Sequence, residues 1–115
     1  MRKDDSVRTQ HMLDAAREAV SFVRNKRRSS LNKDRKLALA LVKSIEIMGE
    51  AAAKVTPGTR EELPQIPWSN IIGMRNRLIH AYYDINLDIL WKTVTEDLPP
   101  LIAELAKVVP PEKNP

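Results

Sequence analysis

The sequence predicts an all-α domain, an up-and-down bundle of four main helices plus a short connecting helix, and three observations predict it. Apolar residues recur at three- and four-residue spacing along almost the whole chain, and no stretch alternates apolar and polar residues as a half-buried strand would. Turn residues interrupt that spacing at only a few places: SSLN, Pro57-Gly58, the proline-bounded TREELPQIP, and Asn86. The 115 residues match one small domain, so residues 1–109 read as a single helical unit and PPEKNP, residues 110–115, as a frayed tail.

The first helix is expected from about Asp5 to Lys26, with Leu13, Ala16, Val20 and Val23 on one stripe. SSLN breaks it, and Ser30 or Asn32 can cap the next helix by accepting a bond from an orphan amide. That second helix runs from about Asn32 to Val55 on a stripe of Leu37, Leu41, Ile45, Met48, Ala52 and Val55. A weaker apolar face carries Leu39, Val42, Gly49 and Ala53, with Glu46 and Glu50 on it one turn apart. A helix apolar on two sides is covered on two sides, within the domain or by another subunit. Pro57-Gly58 stops it, TREELPQIP forms a turn or short helix, and a third helix starts at about Pro67 and frays around Ala81 to Asp84. Asn86 caps the last helix, in which Leu87, Leu90, Trp91, Val94, Leu98, Leu101, Ile102, Leu105 and Val108 keep phase through Pro99-Pro100. That continuity predicts one kinked helix to about Val109, with two short helices as the alternative.

Composition removes several classes of function. With no Cys there are no disulfides, thiolate metal sites or cysteine nucleophiles, and a reducing cytoplasm is the expected setting. The start, MRKDDSVRTQ, lacks an apolar core, and no window approaches the ~18 apolar residues of a membrane span, so a soluble chain is expected. The two histidines, His11 and His80, and acids without ligand spacing give no metal cluster, and three glycines build no phosphate loop. The net charge of +4 is concentrated: Arg24, Lys26, Arg27, Arg28, Lys33, Arg35 and Lys36 fall in thirteen residues with one acid, Asp34. Such clustering suits a phosphate-tracking patch.

The stretch from Trp68 to Tyr83, WSNIIGMRNRLIHAYY, holds the residues with chemistry. On a regular helix, at about 100° per residue, Trp68, Ile71, Ile72, Leu78, Ile79 and Tyr82 share one face with Arg75 at its centre. An arginine there must be paired, for which Glu46 and Glu50 are the candidates, or lie at an interface. Asn70, Asn76, Arg77 and His80 fall on the other side, with His80 near the helix end, where the macrodipole favours a protonated ring. Metal-free RNA cleavage needs a base for the ribose 2′-OH, an acid for the leaving oxygen and a cation for the phosphorane. Histidine serves as either proton carrier near neutral pH, and arginine clamps phosphate oxygens. One such histidine per chain is short of two, and a two-fold dimer supplies the second.

Arg75-Asn76, three further residues, then His80-Ala81-Tyr82 resembles the R-x4-H-x-Y signature of the HepT toxins within the HEPN superfamily. The resemblance extends through IEIMGEAAAKV, PQIPWSNIIGMRNRLIHAYYDI and LWKTVTEDLPPLI. It implies a HEPN-type bundle acting as a homodimeric, metal-independent ribonuclease toxin with no cofactor. Arg75 and His80 would be the catalytic pair, Asn76 and Arg77 would support them, and Arg24, Lys26, Arg27 and Arg28 would guide RNA. The implied partner is a minimal nucleotidyltransferase antitoxin that transfers AMP onto Tyr82, with Tyr83 one residue away as a second hydroxyl. A regular helix sets Arg75 and His80 about 140° apart. A helix distorted near His80, a site built across the dimer axis, or a phosphate role for Arg77 would each reconcile that angle with the motif. A non-catalytic module that binds a nucleotide or the nucleotidyltransferase is the alternative function.

Overall fold

The computed structural model describes residues 1–81 and 84–109, and for His80 and Ala81 the backbone alone. Helix α1 spans Lys3–Phe22, α2 Ser30–Lys33, α3 Arg35–Lys54, α4 Pro57–Glu62 and α5 Trp68–Leu78. Strands β1, Ile79–Ala81, and β2, Asp84–Ile85, follow, and then α6, Leu87–Lys92, a π-helical segment, Thr93–Asp97, and α7, Leu98–Val108. The fold is the expected all-α bundle, with one short ribbon added. No helix is long and apolar enough to cross a membrane among the described residues.

Helix α3 is the centre. Its stripe is buried as the periodicity demands: Leu41, Ile45, Met48 and Ala52 are fully enclosed and Val55 nearly so. It packs on α1 on one side and α5 on the other, and α1 packs in turn on α7. The helices alternate in direction. Asp5, near the start of α1, bonds Thr56 just beyond the end of α3, so those two run antiparallel. Gly49 meets the backbone of Ile71 and Ile72 while Glu46, a turn earlier, meets Arg75, a turn later, so α3 and α5 do as well.

The ends of the elements differ from expectation for local reasons. Helix α1 stops at Phe22, and Asn25 turns the chain at φ 64°, a left-handed conformation that asparagine tolerates. Ser30 and Asn32 belong to the separate single turn α2, and the cap of α3 is Asp34, whose carboxylate accepts from the Leu37 amide at 3.1 Å. Pro57 ends nothing. It opens α4 at the first-turn position, where its missing N–H is harmless. Under that turn Asp5, buried, accepts from the Thr56 amide at 3.0 Å, the Thr56 hydroxyl at 2.6 Å and the Thr59 hydroxyl. These bonds hold its carboxyl well below the usual carboxylate range, at about 2.

Asn86 caps α6 as expected, its side chain accepting from Ile89 N at 3.0 Å. The helix then continues to Val108 without a break, and the strain of Pro99-Pro100 is absorbed by the π segment before them. Two adjacent prolines remove two amide donors, and Leu98 N–H turns instead to the carbonyl of Thr93, five residues back.

Candidate functional site

Helix α5 carries the chemistry-bearing residues, and it is rotated from the expected orientation. Ile71, Met74 and Leu78 face the core. Trp68 is only partly covered, its indole N–H donating to the Leu63 carbonyl at 3.1 Å, and Ile72 lies 37% exposed. Trp68 and Ile79 still pack on the core without being enclosed, and of the described residues of the expected apolar face only Ile72 is turned out. Burying flexible Met74 instead swings Arg75 out to the edge of the α3–α5 seam, with its side chain 47% exposed rather than enclosed.

At that edge Arg75 meets the partner its position called for. Its Nε stands 3.4 Å from Glu46 Oε1, on a carboxylate side chain only 26% exposed. The two helices come together because Gly49 has no side chain: a Cβ there would lie 3.3 Å from the Ile71 carbonyl oxygen. An isolated glycine in a helical run, costing ~1 kcal/mol against alanine, is the sequence signal for such an approach. Gly49 stood on the predicted second face, but not as a residue that shapes the site.

The helix ends at Leu78. Ile79 is extended, with φ −115° and ψ 112°, and pairs with Ile85 in an antiparallel ribbon. The next pair is Ala81 with Asp84, so two steps on β1 match one on β2 and His80 is the extra residue of a β-bulge. Bulges re-aim a side chain and recur beside active sites. The predicted angle between Arg75 and His80 therefore has no meaning here, because only Arg75 is on the helix: of the three reconciliations, the backbone shows the helix interrupted before His80. The Asn86 amide donates to the Leu78 carbonyl at 2.7 Å and ties the ribbon to the start of α6. Tyr82 and Tyr83, the expected modification sites, lie outside the described residues, as do residues 110–115.

Asn76 is exposed beside Arg75. Arg77 turns to the opposite side of α5, where it donates to the Asn70 carbonyl at 3.1 Å. There it lines a cleft of about 640 Å³ between α5 and the α6–α7 helix, together with Lys92 and the acids Glu96, Asp97 and Glu104. Arg77 thus stands apart from Arg75 and among carboxylates, a poor setting for a shared phosphate clamp.

The basic run lies at the end of the bundle where the ribbon emerges. Arg28 bonds Asp88 at 2.7 Å and Asn32 at 2.7 Å, which pins the α1–α2 turn to α6 two residues beyond Asn86. Arg28 is thereby half-buried and committed, while Arg24, Lys26 and Arg27 are exposed. Among the described residues no group of three or more His, Cys, Asp or Glu could hold a metal ion.

The family model described as ribonuclease HepT-like matches residues 12–108. A protein of Methanocaldococcus jannaschii named as a candidate RNase is 32% identical over 94 residues, 82% of this chain and 86% of that one. A candidate RNase of Caldanaerobacter subterraneus subsp. tengcongensis is 33% identical over 104 residues, 90% of this chain and 93% of its own. A Thermococcus cleftensis protein named as a candidate ribonuclease HepT is 39% identical over 75 residues, 65% and 68% of the two chains. No solved structure matches.

Proposed function

We propose, from the fact that this chain belongs to the ribonuclease HepT-like family, that it cleaves RNA without a metal through Arg75 and His80 and serves as the toxin of a toxin–antitoxin pair. Family membership and the RNase-named relatives support an RNA-acting nuclease. The observation that carries the finer reading is the junction of α5 and the ribbon: a half-exposed arginine at the helix edge, and a histidine on a bulge immediately after it.

In this reading His80 moves the proton to or from the ribose 2′-OH or the leaving oxygen, and the Arg75 guanidinium holds the charge that builds on the phosphorane. Asn76 orients the phosphate or the ring. A second copy of the chain, related by a two-fold axis, brings the second histidine, and exposed Ile72 and Leu39 on the α3–α5 face favour that packing. RNA reaches the site along Arg24, Lys26 and Arg27. AMP transferred by a nucleotidyltransferase antitoxin onto Tyr82 adds bulk and negative charge beside the site and blocks it.

The test is cleavage of single-stranded RNA by the purified chain in the presence of a chelator. His80→Ala is expected to lose about 10²–10⁴-fold in rate while keeping helical content. Full activity in that variant would remove His80 from the mechanism. Intact mass after co-expression with a minimal nucleotidyltransferase antitoxin reads out the modification. A wild-type chain that leaves RNA uncut, yet binds that partner tightly, would establish the binding-module alternative.

A further inference from the structure

We propose that Glu46 is a positioning residue for the RNA-cleaving site, holding the Arg75 guanidinium by its inner nitrogen so that the two outer nitrogens face the scissile phosphate. This rests on the ribonuclease reading above. The argument begins with which nitrogen is engaged. The closest approach is between Nε and Glu46 Oε1, at 3.4 Å, an ion pair and not a short hydrogen bond. A guanidinium presents five N–H groups in a rigid plane. A carboxylate against the Nε edge leaves the outer edge, the one that matches two phosphate oxygens in parallel, open to an incoming ligand.

Exposure supports the same division. Glu46 is the more enclosed partner, at 26%, and Arg75 the more open one, at 47%. The anchor is therefore fixed against the bundle while the anchored group reaches toward solvent. Helix α3, the most buried element, supplies Glu46, and the close approach at Gly49 sets the register that brings Glu46 level with Arg75. Stability is a weak reason for such a pair, since half-exposed ion pairs contribute ~0–1 kcal/mol. Orientation is a stronger one, because an arginine side chain has four rotatable bonds, and a displacement of about 1 Å at a reacting group costs up to about 10²-fold in rate.

The experiment compares the full chain with Glu46→Ala, Glu46→Gln and His80→Ala, using a labelled single-stranded RNA oligonucleotide. Glu46→Ala is expected to lower kcat on the order of 10- to 100-fold, with a smaller change in KM and a melting temperature close to that of the wild type. Glu46→Gln keeps the shape and an oxygen beside Nε but removes the charge, and is expected to recover part of that loss. A merely structural pair would leave kcat intact well below the melting temperature. Wild-type kcat in Glu46→Ala overturns the proposal while the His80→Ala result leaves the ribonuclease reading standing. Increased activity in Glu46→Ala overturns it too, because Glu46 would then be masking Arg75. If the wild type cleaves no RNA, the ribonuclease reading fails, and the positioning claim is decided separately by ¹⁵N spectra of the arginine side chains. A slowly exchanging Arg75 Nε–H signal, assigned with Arg75→Lys, should be present in the wild type and lost in Glu46→Ala; an unchanged signal overturns the claim.

Discussion

The Cβ that Gly49 lacks would lie 3.3 Å from the carbonyl oxygen of Ile71, so two helix backbones touch at the point that aligns Glu46 with Arg75. A branched side chain there must push α5 outward. Gly49→Val is expected to lower stability by about 1–3 kcal/mol and to reduce RNA cleavage by more than the folded fraction explains. Thermal melting paired with cleavage rates at low temperature checks both parts, and an unchanged rate would separate the close approach from the site.

Asp5 gives the fold an acid-sensitive clasp. Bonds from the Thr56 and Thr59 hydroxyls and the Thr56 amide hold its carboxyl at about 2, against 3.8 for a free side chain. The folded form thus binds its proton less readily than the unfolded chain. The resulting stability is complete above about pH 4, and is lost as pH falls from there through about 2. Asp5→Ala should cost about 1–3 kcal/mol at neutral pH by leaving buried donors unmet, and should flatten the stability profile between pH 4 and 2. Denaturant midpoints across that range measure it.

Arg75→Lys keeps the charge and removes the planar fork. Cleavage should fall roughly 10²–10³-fold, while unfolding free energy moves by less than ~1 kcal/mol because the pair with Glu46 is half exposed. Loss of stability with activity retained would make Arg75 a structural residue.

The exposed basic residues should act on binding alone. Replacing Arg24, Lys26 and Arg27 together with Ala is expected to raise KM for RNA, leave kcat near wild type, and reduce the salt dependence of binding by a slope of about 2, at roughly 0.7 per phosphate contact on a single strand. Arg28→Ala, by contrast, breaks the contacts to Asp88 and Asn32 and should show mainly in the melting temperature.

The core stripes and the cap at Asn86 were legible because each follows from spacing along a single helix, and Glu46 and Glu50, one turn apart, stood out as the candidate partners of Arg75. What stayed hidden depended on contacts between elements. Nothing in Leu78-Ile79-His80-Ala81 stops a helix; the stop comes from Ile85, which pairs with Ile79, and from the Asn86 amide, which claims the Leu78 carbonyl. The orientation of α5 was misjudged for a related reason. A wheel weights Trp68 and Ile72 by their size, whereas the groove beside α3 accepts Met74 and leaves Ile72 at the rim. The π segment left no trace in the spacing, since Leu90, Val94 and Leu98 repeat by two fours just as Leu37, Leu41 and Ile45 do in the regular helix α3.

The ribbon that carries His80 has a consequence for how such a chain diverges. Because β1 and β2 lie after the last core residue of α5, the backbone at position 80 belongs to the ribbon and not to a helix, so exchanging His80 breaks no helical turn. Under the proposed ribonuclease reading, one codon then separates a cutting chain from a silent one. Under that reading, a duplicated gene that took this step would yield a decoy that keeps the helical bundle and cuts nothing.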